Sequence, residues 1–266
     1  MKKSGVLSCL VFLGAIFLTP SCKKEARNIA SAPVGDSSHF SITNASPSIA
    51  NLYFYLNNRL VTLPDSPFSY GKTVFATYIR NATSYFPDTV KLPYININPG
   101  YNEMSFASSG NGNFISALNM KFEPDSNYSL FLMDTIVHGK VASVLLNDHL
   151  IKTDSTKSQI RFLNLSPDAP PLDIWAFPNG SYTGYKLFSD CGYLPNDFNS
   201  FVKDQFFTLI GKGPYYFVAA IAGTNNLVLD GQMYIPAGNV ITLYVKGYMA
   251  GTGVQKLDIG VIQYRP

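Results

Sequence analysis

The stretch that decides the fold is Asn164-Leu165-Ser166-Pro167, followed by the alternating run from Leu172 to Ala176. The same arrangement occurs 120 positions earlier, where Asn44-Ala45-Ser46-Pro47 precedes the run from Leu52 to Leu56. In both runs an apolar residue recurs at every second position, which is the period of one face of a strand. Because the motif and the run recur together in one register, the sequence indicates a duplicated unit.

Strand-like runs also dominate the rest of the chain, and no segment of a dozen residues has helical spacing. Turn residues separate these short runs, which is typical of antiparallel sandwiches. We therefore predict an all-β protein with two tandem immunoglobulin-like antiparallel β-sandwich domains. The predicted strands lie near residues 39–44, 51–57, 101–107, 114–121, 128–134, 141–147, 159–165, 172–177, 205–210, 215–221, 227–234, 240–246 and 256–263.

Changes in composition give the predicted domain boundaries. Residues 1–21 form a predicted signal peptide, and residues 22–38 form a flexible tether with no period and little to bury. The first β-sandwich repeat covers residues 39–150. The polar stretch 151–158 is the predicted linker, and the second repeat covers residues 159–266. We expect each repeat to fold separately and proteolysis to start in the linker.

The N-terminus has the zones of a secretory signal, with basic Met1-Lys2-Lys3 before an apolar run from Val6 to Leu18. That run is shorter than the roughly 20 apolar residues of a transmembrane helix. Cys22, directly after Ser21, resembles the lipobox of bacterial lipoproteins, which implies that Cys22 is lipidated. Ordinary cleavage, with Cys22 as an incidental thiol, is the alternative. Since no Asp follows Cys22, we expect a lipid anchor in the bacterial outer membrane, facing the periplasm or the cell exterior.

Composition limits both the partners and the sources of stability. Loss of residues 1–21 leaves 18 basic and 17 acidic residues, so the net charge is close to zero. The chain therefore has no positive electrostatic field that would attract nucleic acid. Of the three cysteines, Cys9 lies in the signal peptide and Cys22 at the anchor, which leaves Cys191 in the fold. An acylated Cys22 therefore excludes an intramolecular disulfide, and stability must come from burial.

The stretch from Ile160 to Trp175, IRFLNLSPDAPPLDIW, resembles the start of the domain-of-unknown-function 4397 family. Members of that family are exported β-sandwich modules whose first two strands are joined by a Ser-Pro-Asp-Ala-Pro turn, here Ser166 to Pro170. The first copy keeps Ser46-Pro47 but lacks the Asp and the following Pro. The resemblance covers residues 40–266 if both copies count. It implies an anchored lipoprotein of Bacteroidota-type bacteria and no particular activity.

The sequence contains no pattern for catalysis or for a cofactor. Its three histidines have no Cys or carboxylate at metal-ligand spacing, so we predict no metal site and no cofactor. The glycines of 110–113 and 211–213 are interpreted as turns. Asp168 and Asp173 supply too few oxygen ligands for a Ca²⁺ site. Asp168 is interpreted as a turn residue. Cys191 has no histidine implied nearby and is interpreted as a buried small residue.

Aromatic side chains are the feature with binding potential. Tyr53, Tyr55, Trp175 and Phe177 lie on strand faces opposite the predicted cores. Exposed aromatic rings can stack on sugar rings or anchor partner proteins. We therefore predict a non-enzymatic binding or adhesion module for a glycan or an envelope protein. These faces could instead pack against the other domain or a covering loop, which would shield Trp175 from water.

Two other functions and one modification remain open. The irregular segments 71–96 and 190–203 could build the site of a glycan-active hydrolase, which needs two carboxylates about 5–10 Å apart. Long uncovered edge strands would favour a structural or assembly subunit of an envelope complex. Asp154-Ser155-Thr156 resembles a short O-glycosylation signal, so Ser155 is a candidate modification site.

Overall fold

A computed structural model gives the structure of this protein. It describes residues 37–49, 51–61, 68–69, 73–74, 95–109, 112–134, 141–150, 155–178, 181–194, 202–204 and 207–264. Strands dominate these ranges, so the predicted all-β class is confirmed. The helical structure in them is one 3-10 turn, Gly253–Gln255, and no helix in the described part is long and apolar enough to span a membrane. The predicted signal peptide, most of the tether and most of segment 71–96 lie outside the described residues.

The first sandwich is built from two sheets, which we call sheets I and II. Its strands are β1 (Ser38–Asn44), β2 (Asn51–Leu56), β3 (Arg59–Leu60), β4 (Phe68–Ser69), β5 (Thr73–Val74), β6 (Ile95–Ile97), β7 (Gly100–Ser108), β8 (Phe114–Phe122), β9 (Asn127–Asp134) and β10 (Val141–Asn147). Sheet I has the order β3-β2-β7-β8, with β4 also paired to β2. Sheet II has the order β10-β9-β1-β5, with β6 also paired to β1. Phe40, Phe54 and Phe122 meet between the two sheets with ring centroids 5.7–6.0 Å apart.

The second sandwich is built from sheets III and IV and repeats the first. Its strands are β11 (Lys157–Asn164), β12 (Leu172–Pro178), β13 (Tyr185–Cys191), β15 (Thr208–Gly211), β16 (Gly213–Ile221), β17 (Leu227–Ile235), β18 (Val240–Lys246) and β19 (Asp258–Tyr264), and β14 (Val202–Asp204) is treated below. Sheet III has the order β15-β11-β18-β19, and sheet IV has the order β13-β12-β16-β17. In both copies the first strand runs parallel to the strand before the last, β1 with β9 and β11 with β18. The duplication seen in the sequence is thus a repeated topology.

Alternation places the side chains of β2 and β12 as predicted. The even-numbered apolar residues of both strands are buried between the sheets of their own sandwich: Leu52, Phe54, Leu56, Leu172, Ile174 and Ala176. Tyr53, Tyr55, Trp175 and Phe177 point to the other face, where each is half-buried. Strand β13 was not predicted, because residues 185–191 do not alternate and their pairing with β12 has two register shifts. The strand predicted at 205–210 overlaps β15, which spans Thr208–Gly211, and β14 precedes the predicted range.

Sheets II and III pack against each other, so the four sheets lie in the order I, II, III, IV. The contact is an apolar cluster with members from β9, β10, β11, β18 and β19. Its large buried members include Phe131, Leu146, Leu163, Tyr244 and Ile262. Phe131 and Tyr244 meet edge to face across it, with ring centroids 5.7 Å apart. The two sandwiches therefore share a buried interface.

A buried ion pair lies in this interface. Arg161 on β11 binds Asp148, which follows β10, and their side chains are only 2% and 0% exposed. The guanidinium also donates hydrogen bonds to Thr242 Oγ1 at 2.9 Å and to Ser129 Oγ at 3.0 Å. The donors of Arg161 thus reach residues of both sandwiches, which constrains how sheet II lies on sheet III.

The irregular segment of the second copy also reaches the first sandwich. Strand β14 pairs in parallel with β10, and Tyr193 donates a hydrogen bond to the carbonyl oxygen of Asp134. Strand β11 begins at Lys157, inside the predicted linker 151–158. The linker is therefore one of several connections between the sandwiches, and the separate folding of each half stays a prediction.

Candidate functional site

The candidate site is the outer face of sheet IV, the side turned away from the second core. Four aromatic residues share this side, Trp175 and Phe177 on β12, Tyr216 on β16 and Tyr234 on β17. Phe177 is paired directly with Tyr216 across the ladder, and Trp175 is paired with Val218. We call these four aromatic residues the aromatic face.

The sequence positions each ring by alternation. On β16, Tyr215, Phe217 and Ala219 belong to the core of the sandwich, so Tyr216 between them must point outward. On β17, Met233 and Ile235 are buried in the same core, which turns Tyr234 outward. The aromatic face is thus held by strands whose opposite side contributes to the core.

Two of the four rings, Phe177 and Tyr216, are in contact. Phe177 and Tyr216 are tilted by 59° with ring centroids 6.4 Å apart. Tyr216 is 36% and Tyr234 49% exposed, whereas Trp175 and Phe177 are half-buried. A Cβ atom at residue 184 would overlap the Phe177 ring, so Gly184 leaves the space that this ring occupies. Exposed aromatic side chains grouped on one face are a feature of interaction sites in soluble proteins.

Charged groups border the aromatic face at Trp175. The ammonium of Lys186 lies 5.3 Å from the centroid of the Trp175 ring, within cation–π range. It is held there by an ion pair with Asp173 Oδ2 at 2.6 Å. Asp173 also accepts hydrogen bonds from the backbone N–H groups of Asp190 at 2.9 Å and Gly223 at 3.1 Å. The bond from Lys186, followed by these two amides, lowers the pKa of Asp173 to about 2.

This lowered pKa gives a pH-dependent prediction. An unfolded aspartate titrates near pH 4, so the stabilisation by charged Asp173 is fully present above that pH and is lost as pH falls towards about 2. We therefore expect the difference in unfolding free energy between the parent and Asp173→Asn to be constant above pH 5 and to shrink between pH 4 and 2. Urea unfolding at a series of pH values measures it. A difference that stays constant down to pH 2.5 would show that folding does not lower the pKa of Asp173.

Polar groups border the face on β16 and β17. The hydroxyl of Tyr216 donates a hydrogen bond to Asp230, and this bond, with burial, raises the pKa of Tyr216. Asp230 and Gln232 are exposed and flank the ring across the ladder. The site therefore combines apolar rings with nearby donors and acceptors.

The first sandwich carries its own aromatics on the outer face of sheet I. Tyr53 is paired with Ala107, which is paired in turn with exposed Phe114 on β8. Tyr55 is paired with Ser105. Tyr53 and Tyr55 thus lie on one outer layer of the protein and Trp175 and Phe177 on the other, so the structure does not bring the four predicted aromatics into one site.

The alternative that these aromatic faces pack against the other domain is wrong, and cover by a loop stays a prediction. Sheets II and III make that contact, and sheets I and IV are the outer layers. Trp175 is partly buried, and the ammonium group of Lys186 lies over its ring. Tyr216 and Tyr234 were not predicted as site residues, although the alternation of β16 and β17 indicates an outward position for both.

The other residues singled out in the sequence have structural roles or stay predictions. Asp168 accepts a hydrogen bond from the backbone N–H of Met249 at 2.8 Å, which joins the turn before β12 to the turn after β18. Burial, followed by Asp173 and Asp190, raises the pKa of the Cys191 thiol to about 11, so Cys191 is protonated at neutral pH.

Ser155 is exposed in the turn before β11, and Cys22 lies outside the described residues. Within the described part of the chain, no three His, Cys, Asp or Glu residues are grouped as a metal site.

Comparison with known proteins finds one matching family and several distantly similar solved structures. The profile of the family described as "Domain of unknown function (DUF4397)" matches residues 38–175, more than half of the chain. No curated protein matches. The solved structures that are similar include a streptococcal virulence factor reported to bind α-glucan, at 8% identity and a TM-score of 0.23, with 78% of this chain and 93% of that chain covered.

Two further solved structures are similar at the same distant level. A family 26 carbohydrate-binding module from Eubacterium rectale Amy13K, in complex with maltoheptaose, is 12% identical with a TM-score of 0.23, and the match covers 86% of this chain and 98% of that chain. A putative cell adhesion protein from Bacteroides eggerthii is 9% identical with a TM-score of 0.18, over 88% and 98% of the two chains. These neighbours are described as binding or adhesion proteins. At such TM-scores the likeness carries no argument about the ligand of this chain.

Proposed function

Because the chain belongs to the DUF4397 family, whose description assigns no activity, we propose a function from its own surface: a non-enzymatic module that binds a glycan through the aromatic face. One observation carries the proposal. Trp175, Phe177, Tyr216 and Tyr234 lie together on the solvent side of one packed sheet. Sugar rings have apolar C–H faces that stack on aromatic rings, and a rigid sheet supplies such rings already in place.

The groups around the rings favour a glycan over an apolar ligand. Asp230, Gln232 and the Tyr216 hydroxyl present acceptors and donors beside the rings, which suits the hydroxyl groups of a sugar. The aromatic side chains lose little conformational freedom on binding because each has only two rotatable bonds. A shallow surface of this composition supports binding without a chemical step.

A glycan array probed with the full chain tests this function. We expect Tyr216→Ala and Trp175→Ala to weaken binding at least tenfold, which corresponds to about 1.4 kcal/mol. Tyr101→Ala is the matched control, because Tyr101 is 76% exposed on sheet I, in the opposite outer layer. Equal binding by all four proteins would contradict the proposed site. Capture of an envelope protein, lost in Tyr216→Ala, with no glycan bound, would replace the glycan by a protein partner.

We further propose that the protein is held in the bacterial outer membrane by lipidated Cys22. The support is the lipobox-like sequence before Cys22. Each buried CH₂ group contributes about 0.8 kcal/mol, so a multiply acylated cysteine gives stable anchoring.

The proposed lipid anchor predicts where the Cys22→Ala variant is found in the cell. We expect this variant to appear in the soluble fraction after a high-salt wash, because it has no acyl chains. Cys191→Ser is the matched control and should stay with the membrane. Membrane retention of Cys22→Ala would show that the chain is held in some other way.

A further inference from the structure

Strand β17 is an edge of sheet IV. It pairs with β16 on one side, and none of the residues that the structure describes pairs with its other side. An edge strand of this length presents a row of unpaired N–H and C=O groups, which proteins commonly protect with Lys, Pro or a bulge. The β17 sequence, LVLDGQMYI, has no Lys, Arg or Pro. Its one bulge lies at its start, opposite Ala219 and Ala220, so Leu229–Ile235 is a regular edge in which Asp230 is the one charged residue.

Gly231 lies inside this regular stretch. A Cβ atom there would meet no other atom within 4 Å, so packing within the chain does not require a glycine. A glycine in a strand interior weakens the strand and often marks the close approach of another backbone. Gly231 therefore points to a partner strand on the free edge.

We propose that β17 pairs antiparallel with β17 of a second copy of this chain, about a two-fold axis at Gln232. This register uses all residues from Leu229 to Ile235. On the core side, Leu229 faces Ile235 of the second copy, and Gly231 faces Met233. Both pairs continue the core, to which Leu229, Met233 and Ile235 already belong.

Charge supports the same register. On the outer side, Asp230 faces the exposed Tyr234 of the second copy, and the two Gln232 amides face each other and can exchange hydrogen bonds. The two Asp230 carboxylates are then four residues apart along the strands, about 14 Å. A register centred on Asp230 would place like charges directly opposite and is disfavoured.

Two other long edges, β8 and β13, are less suited to this pairing. Strand β8, the counterpart of β17 in the first sandwich, carries exposed Lys121. Strand β13 carries Lys186 and is irregular, with two register shifts against β12. Pairing through β17 makes one eight-stranded sheet with two aromatic faces on the same side. Two linked sites would raise the apparent affinity for a polymeric ligand, although the pairing does not depend on glycan binding.

Oxidative crosslinking of the full chain tests the pairing. In a background with Cys9→Ser, Cys22→Ala and Cys191→Ser, which removes every native thiol, we expect Gln232→Cys to form a disulfide-linked dimer, because directly opposite residues lie within disulfide range. Asp230→Cys is the matched control on the same exposed face, and its two copies lie beyond the limit of about 7 Å between Cα atoms. A mixture of Asp230→Cys and Tyr234→Cys should crosslink. Equal yields from Gln232→Cys and Asp230→Cys would overturn the proposal.

A charge exchange tests it without oxidation. We expect the parent chain to sediment as a dimer, Gln232→Lys and Gln232→Glu each to be monomeric, and an equimolar mixture of the two to recover the dimer. Gln232 is exposed, so neither change should affect folding, which circular dichroism checks. Leu209→Lys, a similarly exposed site on sheet III, should stay dimeric. A monomeric parent, or a dimeric Gln232→Lys, would contradict the pairing, whatever the glycan array shows.

Discussion

Replacing Arg161 by alanine is expected to lower the free energy of unfolding by about 3–5 kcal/mol, because it removes the cation beside the fully buried Asp148 carboxylate. Denaturant unfolding of the full chain measures it. Lys121→Ala is the matched control, since Lys121 and Glu123 form an ion pair at the surface, and it should cost less than about 1 kcal/mol.

The double variant Arg161→Met with Asp148→Leu separates the charge effect from packing. Because it removes both charges, it should recover much of the stability that Arg161→Ala loses. A loss below about 1 kcal/mol for Arg161→Ala would mean that sheets II and III are not in dry contact at this point.

Gly260→Ala is expected to destabilise the protein by about 1–3 kcal/mol, because overpacking a filled core forces side chains and backbone to shift. A Cβ atom at residue 260 would overlap the ring of Tyr244, which is fully buried between sheets II and III. Thermal unfolding of both proteins measures the loss. Gly231→Ala, also within a strand, is compared in the monomeric Gln232→Lys background. There its Cβ meets no other atom of the chain, so stability should stay unchanged or rise slightly. Equal effects of the two changes would contradict the packing of Tyr244.

The core faces could be predicted from the sequence because alternation is a local property. Leu52 and Leu172 each begin an apolar stripe with a period of two, and the structure buries both stripes. The same logic would have found Tyr216, which stands between the core residues Tyr215 and Phe217. The residues of the aromatic face were thus available to sequence reasoning, but their grouping required the pairing of β12 with β16.

The sequence also indicates the order of the four sheets. Strands β9 and β18 are apolar on both faces and buried along nearly their whole length, which is the pattern of a strand covered on both sides. These strands belong to sheets II and III, and that pattern indicates that these sheets form the middle of the stack. The ion pair of Arg161 with Asp148 and the pairing of β14 with β10 were not predictable from the sequence. Neither contact produces a pattern among residues that are close in sequence.

Trp175 tests the central claim most directly, because it is the only tryptophan of the chain and belongs to the aromatic face. The measurement is the emission of Trp175 during a titration of the full chain with the best glycan from the array. We predict a shift to shorter wavelength that saturates with the independently measured Kd, since a stacked sugar ring removes water from the half-buried indole. Tyr216→Ala should need at least about tenfold more glycan for the same shift. An emission that does not change while the protein becomes saturated with glycan would contradict the claim that this face is the binding surface.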